Sequence, residues 1–249
     1  MRPVRIAIVV ALALTPALVL AGCVIPGETV ELTEMVTETK EIGLGTADVV
    51  EVELVANIGT FVIGGGANGL LEADFTYNVA EWKPEVEYSE SNGKGLLVVR
   101  QPSLKNKNIT DEAENRWDIH LTEKVPLTIR LDAGVGDTRL MLDGLTIERL
   151  VVDQGVGTAR IDFGNEVKCD ADVDIDGGVG DIRITVPDDV GIRLDADMGI
   201  GSLRAPGLSK SGSAYVNDAY GKAGVNLRIG IDAGIGSVTI SGASGQASV

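Results

Sequence analysis

The chain has one histidine, two cysteines and nine aromatic residues among 249, and each scarcity removes a class of function. A single imidazole and two thiols cannot furnish the His/Cys ligand sets of zinc sites, and they leave no histidine-centred acid–base machinery. Basic side chains are also short, 21 against 37 acidic ones, so the formal net charge is −16. A field of that sign repels a phosphate backbone, and nucleic acid is not expected as a partner. No Gly-x-Ser-x-Gly elbow, P-loop or metal-ligand cluster is present, and carboxylates are too evenly spread for one pair to stand out as a glycosidase couple. No enzyme and no cofactor are expected. Glycine, at 32 residues, and a hydrophobic fraction of 44% are what the chain has in quantity.

One apolar run exists, and it comes first. Arg2 and Arg5 precede Ile6 to Leu20, and Leu20-Ala21-Gly22-Cys23 follows. A basic start, a short apolar stretch and small residues describe a secretory signal over 1–22. The run is also shorter than the ~20 residues that a membrane span needs. The four residues ending at Cys23 resemble the bacterial lipobox, which implies that Cys23 is lipidated and becomes the mature N-terminus. The membrane is then a partner through the lipid, and the expected location is the outer face of the membrane at the bacterial cell envelope. Cys169 is left without a partner, between Lys168 and Asp170, and reads as a partly buried structural thiol.

Residues 23–48 are acidic at Glu28, Glu31, Glu34, Glu38 and Glu41 and lack a clear period, which predicts a solvated tether with room for a short helix over 30–41. From Val49 the pattern alternates, and strands are expected throughout 49–124, with Asn68-Gly69 and Asn92-Gly93 as hairpin signals. Six aromatic residues fall there: Phe61, Phe75, Tyr77, Trp82, Tyr88 and Trp117. They are expected to form the thick end of a core, a β cap on whatever follows. His120, in an alternating stretch, is expected to be exposed.

A phrase then repeats over 125–242. Asp132-Ala-Gly-Val-Gly-Asp-Thr-Arg-Leu recurs from Asp153, Asp176, Asp197 and Asp232, with the first glycines at 134, 155, 178, 199 and 234. The steps are 21, 23, 21 and then 35 residues. Copies at such spacing indicate stacked units. The fold class is therefore all-β, a single-stranded β-solenoid or β-roll of about five 21–23-residue Gly-x-Gly rungs behind the N-terminal cap. The apolar residue between the two glycines (Val135, Val156, Val179, Ile200, Ile235) is expected to point inward. Residues 243–249 read as a disordered tail.

Stacking places Asp132, Asp153, Asp176, Asp197 and Asp232 in a column, where neighbours ~4.8 Å apart repel by about 3.5 kcal/mol at an effective dielectric of ~20. A calcium column as in Gly-Gly-x-Gly-x-Asp rolls would offset this, but here the Asp stands one position early. The reading preferred is structural: Asx-turns at the aspartates, and a second column of Arg139, Arg160, Arg183 and Arg204 that balances the first. The long step carries 12 to 14 extra residues within 206–226, where Tyr215, Asn217 and Tyr220 make a possible interaction loop. A plain hairpin or an edge strand accounts for the same stretch.

Leu71-Glu-Ala-Asp-Phe-Thr-Tyr-Asn, Trp82-Lys-Pro-Glu-Val-Glu-Tyr-Ser and Asn115-Arg-Trp-Asp-Ile, followed by Val125-Pro-Leu-Thr-Ile and the Gly-Val-Gly rungs, resemble the toast-rack family of bacterial envelope lipoproteins over 49–242. The repeats are also similar to the C-terminal domain of LiaF-type cell-wall stress proteins and to adhesin-like proteins. The resemblance implies a β-solenoid displayed at the envelope and brings no catalytic residues with it. The function expected is a non-catalytic, lipid-anchored presentation of a rigid β surface to an envelope protein or wall polymer, in connection with envelope stress. The alternatives are an adhesive or purely structural surface element and, behind it, a calcium-stabilised roll.

Overall fold

The computed structural model describes residues 28–104 and 107–242; the expected signal, Cys23 and the tail at 243–249 lie outside them. Among the described residues the fold is all-β apart from one 3₁₀ turn at Ala80–Trp82. Its strands are β1 (Glu28–Thr29), β2 (Leu32–Ile42), β3 (Val49–Gly65), β4 (Leu71–Val79), β5 (Glu85–Ser91), β6 (Lys94–Arg100), β7 (Lys107–Asn108) and β8 (Asn115–Leu121). Then come β9 (Pro126–Met141), β10 (Thr146–Val156), β11 (Ala159–Asp162), β12 (Ala171–Val179), β13 (Ile182–Val186) and β14 (Gly191–Arg204). The last three are β15 (Ser209–Ser211), β16 (Ala214–Val216) and β17 (Asn226–Gly242).

The repeats do stack. β3, β9, β10, β12, β17 and β14 lie side by side in parallel, each joined to the next in register. Every copy is bent at its Gly-x-Gly, and the second arms pair too, β9 with β11, β11 with β13, and β13 with the end of β17. A sixth bent strand, β3, heads the ladder. Its corner is Asn57-Ile58-Gly59, with Ile58 opposite Val135 and Gly59 opposite Gly136. An Asn in the first glycine's place and Val55 where the Asp would stand had hidden it.

Two glycines per corner are needed because the rungs touch there backbone to backbone. A Cβ built on Gly157 would collide with the carbonyl of Gly136, and one on Gly180 with that of Gly157. The second glycine also sits at positive φ, 138° at Gly157 and 144° at Gly180, where other residues are strained.

The last two copies exchange places. After β13 the chain skips a position to lay down β14 and then returns, so β17 fills the slot between β12 and β14. The extra residues of the long step are that return. β15 and β16 form a hairpin on the way, and β16 pairs antiparallel with β14 at Arg193 and Leu194.

The N-terminal region covers the other end. β8, β4 and β2 extend the sheet of second arms beyond β3, and β6 and β5 extend the first. Asn92-Gly93 turns the β5–β6 hairpin with both residues at positive φ, as expected. Asn68-Gly69 does not make a hairpin, because β3 and β4 both pair with β8 and not with each other. The expected tether is structured from Glu28: β2 is an edge strand on β4, held by Thr37 to Thr76 at 2.9 Å and by the Thr39 hydroxyl to Asp74 at 2.6 Å. Most of its side chains are exposed, so no apolar alternation announced it. Trp117 stands edge-on between Phe61 and Phe75, both at 5.4 Å, inside a core that continues down the ladder.

Candidate functional site

The corner of the ladder is the one surface that every rung shares. On the inner side, Leu131 and Ala133 of β9 face the core, and so do Thr138 and Leu140. The interval from 133 to 138 is odd, so the period-2 alternation slips once at Gly134-Val135-Gly136. That slip puts Val135 on the convex side. The expectation that the mid-corner residues point inward is therefore corrected: Val135, Val156, Val179, Ile235 and Ile200 are 47%, 47%, 46%, 50% and 70% exposed. They are nonetheless aligned rung by rung and form an aliphatic ridge.

The ridge has an acidic and a basic side. On the first arm Asp132, Asp153, Asp176, Asp232 and Asp197 line up as neighbours, all exposed. On the second arm Arg139, Arg160, Arg183, Thr239 and Arg204 do the same. The columns exist, but the balance expected between them does not: among the described residues no ion pair joins one to the other. Arg183 turns instead to Asp181, at 2.9 Å. The Asx-turns are absent as well, since the five aspartates accept no hydrogen bond among the described residues. The corner separates the columns onto two faces, which the seven-residue spacing did not reveal.

Other carboxylates are paired, Asp181 beside the corner among them. Arg228 donates to Asp172 at 2.6 Å and holds it below the usual carboxylate range. Asp181 is lowered by the Ser237 hydroxyl, at 2.6 Å, and next by the Ser237 amide and Arg183. Arg149 meets Asp174, and Arg193 meets Asp195 at 2.9 Å. Above Gly230, where the outward side chain is missing, a hollow of about 710 Å³ is lined by Asp153, Asp174, Asp176, Asp195, Asp197 and Asp232. Among the described residues no group of three or more His, Cys, Asp or Glu converges closely enough to hold a metal ion.

The residues of the long step are structural in their contacts. Asn217 accepts from the Ile192 amide at 2.9 Å and from the Tyr220 amide at 3.0 Å, and donates to the Val190 carbonyl at 2.7 Å. Tyr215 packs on the core. Tyr220 is half-buried beside a cleft of about 300 Å³ that Asn217 lines with Val186, Ile192, Leu208 and Ile240. Cys169 is half-buried and donates to the Ile147 carbonyl at 3.3 Å, and desolvation pushes its thiol up, away from reactivity. His120 is exposed, 2.9 Å from the Gly65 carbonyl.

The N-terminal domain of toast_rack, DUF2154, matches residues 31–185. The chain belongs to the toast-rack family. A second family, the C-terminal part of LiaF, a cell wall-active antibiotics response protein, matches residues 134–240, the stretch of the Gly-x-Gly corners. The chain is similar to a candidate cell adhesion protein from Clostridium sporogenes, with 30% identity and a TM-score of 0.79 over 84% of this chain and 100% of that one. A looser likeness, with 11% identity and a TM-score of 0.34 over 84% of this chain and 97% of the other, links this toast-rack chain to a candidate adhesin from Bacteroides fragilis. Among curated proteins, none matches the chain.

Proposed function

We propose that the chain is a non-catalytic, lipid-anchored protein of the bacterial cell envelope that presents the corner of a six-rung β-solenoid to a protein or wall polymer in the response to wall-active antibiotics. The observation that carries this reading is the aliphatic ridge, held in register by continuous backbone pairing over the repeats that the LiaF match covers. Outward positions have no core to fill, so five exposed Val and Ile there are surplus to folding. Catalysis gains no support from the geometry, since the one imidazole is exposed and the one described thiol is desolvated.

Two measurements test it. In a deletion strain challenged with wall-active antibiotics, stress-regulon output or survival changes, and restoring the chain reverses the change. An unaltered response removes the stress reading and leaves the adhesive alternative, which the Clostridium likeness favours. Lipid attachment is tested by palmitate labelling: the label is lost in Cys23→Ser, and retention of label in that variant would refute the anchor.

A further inference from the structure

Among the described residues two features of the corner have no partner: the ridge itself, and the charges on its two flanks, Arg183 excepted, which Asp181 holds. Val135, Val156, Val179, Ile235 and Ile200 run about 19 Å along the stack at ~4.8 Å per rung. Among the described residues the five aspartates of the first-arm column form no ion pair, while Asp172, Asp174 and Asp195 on the same arms have found arginines. Like charges in register raise each other's energy unless counter-charge comes from outside. A surface that is apolar along its middle, acidic on one side and basic on the other is complementary to itself.

We infer that this corner docks on the same corner of a second copy, about a two-fold axis that runs along the ridge. Rotation about that axis turns the acidic flank of one copy onto the basic flank of its partner, rung for rung, Asp132 toward Arg139 and Asp153 toward Arg160. The other two-fold that brings the ridges together lies across them, and it sets aspartate against aspartate. Charge therefore selects one of two symmetric arrangements. Because the seven-residue spacing from Asp to Arg is the same in four copies, a single rotation satisfies four rungs together. A ridge of this length buries little area, so the contact belongs to the weak, transient class. The inference rests on the proposed display function and names a second copy as the occupant of the displayed surface.

The test is disulfide cross-linking of the full chain in intact cells, in a Cys169→Ser background. Rung-for-rung pairing brings identical positions together, so Val156→Cys and Val135→Cys each cross-link to dimers at least ten-fold above Ser91→Cys on the exposed β5–β6 turn. Cells carrying Val135→Cys and Ile200→Cys on separate chains yield no mixed dimer, whereas the crossed arrangement would yield one. Asp132→Arg with Asp153→Arg lowers the Val156→Cys dimer at least ten-fold, and Arg139→Asp with Arg160→Asp does the same. Co-expression of the two charge variants restores it as a mixed dimer, a result that misfolding cannot produce. Ridge cysteines that cross-link no more than Ser91→Cys, or that cross-link only to a different protein, overturn the inference. An intact antibiotic response in such cells would leave the proposed function standing without it.

Discussion

The two ends of the ladder solve one problem in different ways. Each end strand has a corner whose outer backbone groups face no further rung. At the N-terminal end, buried side-chain amides stand in for the missing strand: Gln101 accepts from the Ile58 amide at 2.9 Å, and Asn115 donates to the Ile58 carbonyl at 2.8 Å. Behind them Trp117 seals the core. At the other end, among the described residues, the β15–β16 hairpin pairs with β14 at Arg193 and Leu194, and the corner at Gly199-Ile200-Gly201 carries no strand on its outer side. An unpaired corner is tolerated where water reaches it and must be capped where a core covers it. The first end is therefore a folded cap and the second an accessible edge.

The middle of the ladder, which has a rung on both sides, responds most sharply to substitution. Gly157→Ala adds a Cβ that collides with the Gly136 carbonyl at φ 138°, and the neighbouring backbone cannot give way without breaking register. Its expected cost is about 3 kcal/mol or more. Gly207→Ala also stands at positive φ, 83°, nearer the left-handed helical region and with open space around it, so about 1 kcal/mol of backbone strain is all it should lose. Thermal melts of the two variants separate collision from strain, and equal losses would show that stacking contact is not what the corner glycines serve.

The sealed end should rank next. Trp117→Ala removes a fully buried ring and both edge-to-face contacts, for about 3–5 kcal/mol. Ile200→Ser at the open end removes an apolar side chain already in water, and its melt should stay within about 0.5 kcal/mol of the parent. If Ile200→Ser proved as costly as Trp117→Ala, the two ends would not differ in kind.

The same contrast explains what the sequence disclosed. The ladder was legible because its constraint is periodic: each rung packs on a near copy, so the same glycines, Asp and Arg return at fixed spacing. The strand character of β3 was expected, but its place as a rung was not, because Gln101 and Asn115 cap its corner in place of a rung, and Asn57 serves there as well as glycine. β2 escaped notice because an edge strand with little to bury can be built from Thr, Glu and Lys. The columns beside the ridge follow from repetition, since repetition sets the register. Their mutual pairing and the direction of Val135 were misjudged, because the parity slip at the corner depends on backbone conformation that spacing does not encode. The exchange of the last two copies was hidden for a related reason, since a 35-residue step reads equally as a loop or as a return path.

Capping by amides is not confined to the N-terminal end, and that sharpens the contrast. Gln101→Ala leaves the Ile58 amide buried without an acceptor, for about 1–3 kcal/mol. Asn217→Ala frees the Ile192 amide and the Val190 carbonyl near the open end, but Asn217 is only half-buried and water can replace part of what is lost. The expected order is Gln101→Ala above Asn217→Ala in denaturant melts. The reverse order would mean that the hairpin connection, and not the N-terminal cap, closes the ladder.

Acid distinguishes the two regions most gently. In the N-terminal region Glu38 is lowered first by Lys83, at 2.6 Å, and then by the Tyr77 hydroxyl, at 2.9 Å, while burial pushes Tyr77 itself up to about 12. In the ladder, Asp172 and Asp181 are the lowered groups. A carboxyl whose folded pKa is depressed stabilises the fold above its unfolded value near ~4, and the contribution is lost as pH falls through the folded value. The melting temperature should therefore hold steady above about pH 5 and decline toward pH 3, in step with these groups. All three are exposed enough for solvent to screen them, so each share is small. Asp181→Asn should flatten the decline without changing the neutral-pH melt by more than about 1 kcal/mol, since it keeps an oxygen for Ser237. A decline of unchanged steepness would place the acid-sensitive contacts at Asp172 or in the N-terminal region, at Glu38, Glu72, Glu81 and Glu90.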